Sequence, residues 1–200
     1  MLLPTLTISL NLDNDFWFLL NHGEYISNYG FPVVEPFTIH GNFDFIIQQW
    51  LFDVILYHIY TYVGKFGVII LVYVTALIIV YLIYKLCMLL SDYKFYLSVL
   101  FTVYIYLLLC MWFMVSRPQI FTYIFILVEL FSLEVYIKNK KWYSLIPLPL
   151  VSLALINCHS SMWWLSLAFI LPYVFETISI KKWSLNIEPL NKMPIYISTF

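Results

Sequence analysis

Arginine is almost absent from this chain: nine of its ten basic side chains are lysine, and Arg117 is the lone guanidinium in 200 residues. Charge of either sign is scarce, at 10% of residues, and sums to −1 at pH 7. A chain so poor in cations has no basic surface from which a nucleic acid could release counterions, and no Lys/Arg-rich tract or zinc-finger spacing. Nucleic-acid binding is excluded on that ground. Cysteine is equally sparse. Cys87, Cys110 and Cys158 are too few and too scattered for a disulfide framework or a CxxC metal site, and read as small apolar packing residues. His22, His40 and His58 lack the i, i+4 pairing of a metal site and read as surface or interface residues.

What fills the chain instead is hydrocarbon. The hydrophobic fraction is 63% and the mean hydropathy +0.89, far above the roughly half-apolar composition of soluble domains. Such a composition implies a membrane protein. Five apolar runs are long enough, or nearly so, to cross a bilayer: Phe66 to Leu90, Phe95 to Val115, Gln119 to Ile137, Trp142 to Ile156, which carries Pro147 and Pro149, and Ser161 to Ile180. The joins "SDYK", "SRP", "KNKK" and "NCHS" are short, as between antiparallel neighbours. Because lipid leaves backbone groups no partner outside a helix or a closed barrel, runs of this length predict an all-α, polytopic transmembrane bundle over 65–180. The opening "MLLPTLTISLNL" lacks a basic n-region and is too short to span, so 1–12 reads as the remnant of a first transmembrane helix. Residues 181–200, ending in "MPIYISTF", read as a loop and the start of a further span.

Lysine assigns the sides, since basic residues near span ends stay cytoplasmic. Lys85 and Lys94 flank one join, Lys138, Lys140 and Lys141 fill another, and Lys181 and Lys182 follow the last run; these joins alternate and share the cytoplasmic face. Lys65, Arg117 and Asn157 to Ser160 fall opposite, together with 13–64, which holds Asp13, Asp15, Glu24, Glu35, Asp44 and Asp53 and no Lys or Arg. Within this extracytoplasmic loop two interfacial helices are expected. Asp15 to Asn28 ends at Gly30 and Pro32. Phe43 to Val63 carries one apolar face, with Asp44, Gln48, Gln49 and Asp53 on the other. A transmembrane course for the second helix would instead put Asp15 and Arg117 on opposite faces.

The order of Asp15 followed by Phe16 and Trp17, Gly23, "EYI", "FPVVEPFT", "QQWL", "RPQ" and "NCHSS" resembles the first half of the bacterial polytopic glycosyltransferases of the GT-C superfamily. These are relatives of protein O-mannosyltransferases and of the aminoarabinose transferase of lipid A. The resemblance runs from about Asp13 to Tyr173. It implies a multi-pass protein of the bacterial cytoplasmic membrane, with an extracytoplasmic site that passes a sugar from a polyprenyl-phosphate donor to a lipid, glycan or protein hydroxyl. It makes Asp15 the acceptor-side carboxylate or general base and Glu35 a second catalytic candidate, standing where the family often has Asp before Pro-Phe. It also assigns Gln49, Trp50, Arg117, Asn157 and His159 to substrate binding. Gln48 and Gln49 stand where many relatives show His-Glu, so no second acid or metal ligand is supplied there. No resident cofactor is implied; the lipid-linked sugar is the donor substrate, membrane lipid the other partner, and metal requirement and oligomeric state stay open.

Each residue also has a plainer reading. Asp15 can be a helix cap, Glu35 a turn former and "NCHSS" ordinary turn chemistry. Arg117 can be an anchor snorkelling to headgroup phosphates instead of a bidentate phosphate clamp. Glu129, mid-span, is a functional candidate by position, or pairs with a tyrosine of a neighbouring helix. The alternative for the whole chain is a non-catalytic membrane component, a lipid-glycan carrier or transporter subunit, or an inactive truncated fragment.

Overall fold

The structure, a computed structural model, describes residues 12–39, 41, 43–110 and 114–175. His40, Lys181, Lys182 and the expected segments at 1–11 and 181–200 lie outside the described residues. Among the described residues seven α-helices follow one another: α1 (Phe16–Tyr29), α2 (Trp50–Val63), α3 (Lys65–Leu90), α4 (Phe95–Cys110), α5 (Gln119–Asn139), α6 (Pro147–His159) and α7 (Trp163–Phe175). Short 3-10 turns at Trp142–Leu145 and Ser160–Met162 flank α6. The described residues form no strand, only an isolated antiparallel bridge between Val34 and Asp44.

Among the described residues, three stretches are long and apolar enough to cross a membrane: Lys65–Leu90, Gln119–Asn139 and Trp142–Tyr173. The 26 residues of α3 rise about 39 Å and the 21 of α5 about 31 Å, against a hydrocarbon core of ~30 Å. With 16 residues, α4 is a shorter apolar helix. The third stretch is bent back on itself at His159. The indole of Trp163 donates to Ser152 Oγ at 2.8 Å, and Ile170 shares a cluster with Leu145 and Leu148. Both contacts require α7 to return alongside α6. Where they are described, all five expected apolar runs are largely helical, and among the described residues three stretches have the length and hydropathy of a span.

The apolar surface turned outward fits a lipid solvent. Ile70, Val74 and Ile78 recur every fourth residue on an exposed face of α3, and α4 exposes Leu97, Leu100, Phe101, Tyr104 and Leu108. Continuous exposed hydrocarbon of this kind would be an aggregation surface in water.

Pairing fixes the helix directions. Ser91 and Ser98 hydroxyls meet at 2.8 Å where α3 turns into the antiparallel α4. Then α5 returns parallel to α3, since Ile120 packs in one cluster with Val68 and Val72 while Lys138 bonds Leu89 O at the far end. Thr122 beside His159 makes α6 antiparallel to α5. One end of the bundle thus collects Lys65, Arg117, Asn157 and His159, and the other collects Asp92, Lys94, Lys138, Lys140 and Lys141.

Across the first end lie α1 and α2. At its start α2 meets α6 through Trp50 and Asn157, its Phe52 packs edge-on against Phe121 of α5, and it finishes at α3. Gly64, at φ +70°, separates the two; its N–H bonds Tyr60 O at 2.8 Å and closes α2. The observed α2 is shorter than the expected Phe43 to Val63. Residues before Trp50 are held elsewhere, by the Val34–Asp44 bridge and by Ser160 N–H donating to Gln48 O at 2.8 Å. Asp53, expected on a polar outward face, is wholly buried, because α1 covers that face.

The close approach of α1 and α2 depends on Gly23. A Cβ there would stand 2.1 Å from Asp53 O and 2.8 Å from Tyr57 Cβ. Gly23→Ala is expected to lower stability by about 3 kcal/mol, the upper end of ordinary overpacking costs, because the obstacle is backbone. Thermal unfolding in detergent checks this: an unchanged or higher midpoint would refute the close packing.

Candidate functional site

Arg117 sits on the bend before α5, where Arg117 N–H bonds Val115 O at 2.7 Å and Pro118 opens the helix. Its guanidinium has found carboxylate partners. Nε donates to Asp13 Oδ2, and Nη2 lies 2.9 Å from Asp15 Oδ2. The Asp13 side chain is 16% exposed, Arg117 35% and Asp15 57%, so the arrangement opens outward at Asp15. Partial burial works to raise the Asp13 carboxyl, but hydrogen bonds from Arg117 and the Asp15 N–H, with the guanidinium charge, hold it below the ordinary carboxylate range. The Asp13 hydrogen bond raises Arg117 above its own ordinary value in turn. Asp15 stands at the N-cap position of α1 without a side-chain cap bond; its carboxylate goes to Arg117.

Asp15 and Arg117 line a cleft of about 140 Å³ together with Phe18, Gln49, Gln119 and His159. Its size suits a reacting group more than a whole lipid-linked sugar, since ligand pockets commonly run ~300 Å³ or more. His159 ends α6, and its Nδ1 lies 2.7 Å from Thr122 Oγ1, a buried contact that fixes the ring against α5. Two carboxylates and one guanidinium leave a net charge of −1 beside Arg117, so a phosphate approaching it meets repulsion as well as the guanidinium's remaining N–H donors.

Of the residues singled out from sequence, Asp15, Gln49, Arg117 and His159 share this cleft. Trp50 and Asn157 form a tie beside it: Trp50 Nε1 donates to Asn157 Oδ1 at 2.9 Å, and Asn157 Nδ2 to Leu153 O at 2.7 Å. Asn157 and Cys158 belong to α6 instead of a loop, and Cys158 is buried. Glu35 does not line the cleft. Its Oε1 accepts the Phe37 N–H at 2.8 Å and its N–H bonds Phe43 O at 2.9 Å, so it shapes its own turn. Asp13 and Gln119 are additions. The Asp-x-Asp spacing next to a lone arginine is the signal that points to Asp13. Glu129 accepts from Ser166 Oγ at 2.6 Å, and Glu134 Oε1 accepts from the Tyr173 hydroxyl. Comparison with known protein families, curated proteins and solved structures finds no match for the chain.

Behind the cleft, His22 and Asp53 are buried face to face, with Nδ1 3.3 Å from Oδ2. His58 is exposed and stacks on Tyr62, as expected of a surface histidine; His22 departs from that expectation because Phe18, Phe37 and Phe45 enclose it. The His22–Asp53 geometry falls outside hydrogen-bond angles for both nitrogens and both oxygens. Burial pushes Asp53 up to about 6 despite His22. A carboxyl raised on folding stabilises most below its unfolded value and loses that contribution as pH climbs through the folded one. Stability is therefore expected to fall by up to about 3 kcal/mol between pH 4 and pH 7, and Asp53→Asn to remove that slope. Unfolding midpoints across this window test it; an identical slope in the variant would count against it.

Proposed function

We propose that the chain is an integral membrane glycosyltransferase that takes a sugar from a polyprenyl-phosphate donor and passes it to a hydroxyl of a lipid, glycan or protein acceptor. The observation that supports the reading is the convergence of Asp15, Gln49, Arg117 and His159 on one cleft at the end of the bundle. Sequence separations of a hundred residues and more close there. In this reading the acceptor hydroxyl attacks the anomeric carbon and gives its proton to the Asp15 carboxylate. The bond from that carbon to the phosphate oxygen breaks, and the phosphate leaves with the electron pair. A base held within hydrogen-bond reach contributes ~10²–10⁴ in rate. Arg117 fixes the carboxylate through its Nη2 and directs its remaining donors toward the departing phosphate. His159, braced by Thr122, lines the same cleft.

Asp15→Asn is expected to lower sugar transfer by about 10²-fold or more while leaving membrane insertion intact. Arg117→Lys is expected to do the same, because one ammonium cannot hold two carboxylates in a fork. Transfer of radiolabelled sugar from a lipid-linked donor is the assay, and full activity in both variants would defeat the reading. A snorkelling anchor would tolerate the lysine.

In this reading the cleft faces outward and the lysine-rich end lies in the cytoplasm, with α1 and α2 at the outer interface. Cys158 is too buried to report sidedness, so exposed positions serve instead. In a cysteine-free background, Asn28→Cys is expected to react with a membrane-impermeant thiol reagent on intact cells. Lys141→Cys is expected to react only after permeabilisation; the reverse pattern would invert the orientation.

A further inference from the structure

At the end of the bundle opposite the cleft, a cavity of about 310 Å³ opens between α3 and α5. Its floor is apolar, including Met88 and Phe131, and its mouth carries Lys85 and Lys138 with Tyr84 and Tyr93. The exposed aromatics Tyr81, Tyr93, Tyr96, Trp142 and Tyr143 cluster at the same end. Tyrosine and tryptophan gather where hydrocarbon meets headgroups, which puts the mouth at headgroup depth. Lys138 reaches across from α5 to Leu89 O and, at 3.0 Å, to Asp92 Oδ1, with its ammonium 5.6 Å above the Tyr93 ring. Lys85 lies 6.0 Å above Tyr81. Lys94 also acts on Asp92, whose carboxyl Lys138 and Lys94 hold below the ordinary range. The other acid nearby on α5, Glu134, is turned to Tyr173 on α7. The mouth is therefore positive, with Asp92 its one competing anion among the described residues.

We propose that this cavity is a binding site for an anionic phospholipid of the bilayer, with the headgroup phosphate between Lys85 and Lys138 and an acyl chain along Met88 and Phe131. Charge complementarity selects the occupant. A basic mouth over an apolar floor between two membrane helices suits a headgroup bearing net negative charge, whereas a zwitterionic headgroup brings a cation that the two lysines repel. Tyr84 and Tyr93 supply hydroxyl donors beside the phosphate. Asp92 holds Lys138 in the empty site and gives it up when the phosphate arrives. The inference depends only on the bundle lying in a membrane and stands apart from the chemistry of the cleft.

The experiment is native mass spectrometry of the full chain in detergent with phosphatidylglycerol and phosphatidylcholine in equal amounts. Preferential retention of phosphatidylglycerol is expected. Lys85→Gln with Lys138→Gln should weaken it by roughly thirtyfold, at about fivefold per surface lysine, whereas Lys65→Gln at the other end should leave it unchanged. Since Lys138 also braces the turn after α3, Asp92→Asn provides a variant that unfolding cannot imitate. It frees Lys138 and should raise phosphatidylglycerol retention several-fold. Equal retention of the two lipids by the unaltered protein would overturn the proposal. So would undiminished phosphatidylglycerol binding in the double variant, or no gain in Asp92→Asn.

Discussion

The guanidinium of Arg117 is the contact on which the cleft end of the bundle depends. A lone arginine at the foot of a membrane helix must be solvated by water, by headgroups or by anions of its own chain, and here Asp13 and Asp15 supply the anions. Through them the segment leading into α1 is tied to the start of α5, more than a hundred residues away. The same ion group gives α1 its position, since Phe16 and Leu19, which follow immediately, enter the core shared with α3 and α5. Partial burial strengthens the attraction within this group but also costs desolvation of the charges, so its role is to fix where the segment sits more than to add net stability.

From that anchor the packing runs outward through α1 and α2. Gly23 lets the two backbones approach until a methyl group would not fit, and the approach encloses His22 and Asp53. Placing a carboxylate and an imidazole in this contact without good hydrogen-bond geometry weakens it, so the pair is a poor device for stability alone. Phe52 and Leu56 carry most of the load by burying hydrocarbon against α3 and α5. Trp50 with Asn157, and Gln48 with Ser160, then fasten the start of α2 to the hairpin of α6 and α7.

Much of this was legible in the sequence, for reasons that differ by element. The apolar runs were readable because lipid leaves a backbone only helix or closed barrel, and continuous apolar runs of this length select helix. The division of charge between two ends was readable because short joins make the helices alternate. Both readings depend on patterns within twenty residues. The start of α2 was not readable, since the hydrophobic period from Phe43 to Trp50 suits a helix, while tertiary bonds at Asp44 and Gln48 hold that stretch outside it. Burial of Asp53 was hidden for the same reason: a polar residue opposite an apolar stripe reads as solvent-facing unless the covering helix is known. Asp13 escaped notice because its partner is distant, and a scarcity of arginine says that a guanidinium needs an anion without saying which.

The two ends solve the same electrostatic problem differently. At the cleft end, acids outnumber bases, and the closest ones are drawn onto Arg117, which leaves Asp15 held by one nitrogen and half open to whatever enters. At the other end, lysines outnumber acids among the described residues, and Lys138 is bonded to one of them, Asp92, which is itself almost fully exposed. A protein that needed only to stay in a bilayer would gain nothing from concentrating its anions beside its single arginine. Lysines scattered at either end would serve as anchors equally well. The separation becomes useful when the two ends meet different chemistry: a carboxylate kept clear of lysine ammonium groups can accept a proton from an approaching hydroxyl. A lysine-lined mouth, whose one nearby free carboxylate among the described residues is Asp92, can hold an anionic headgroup.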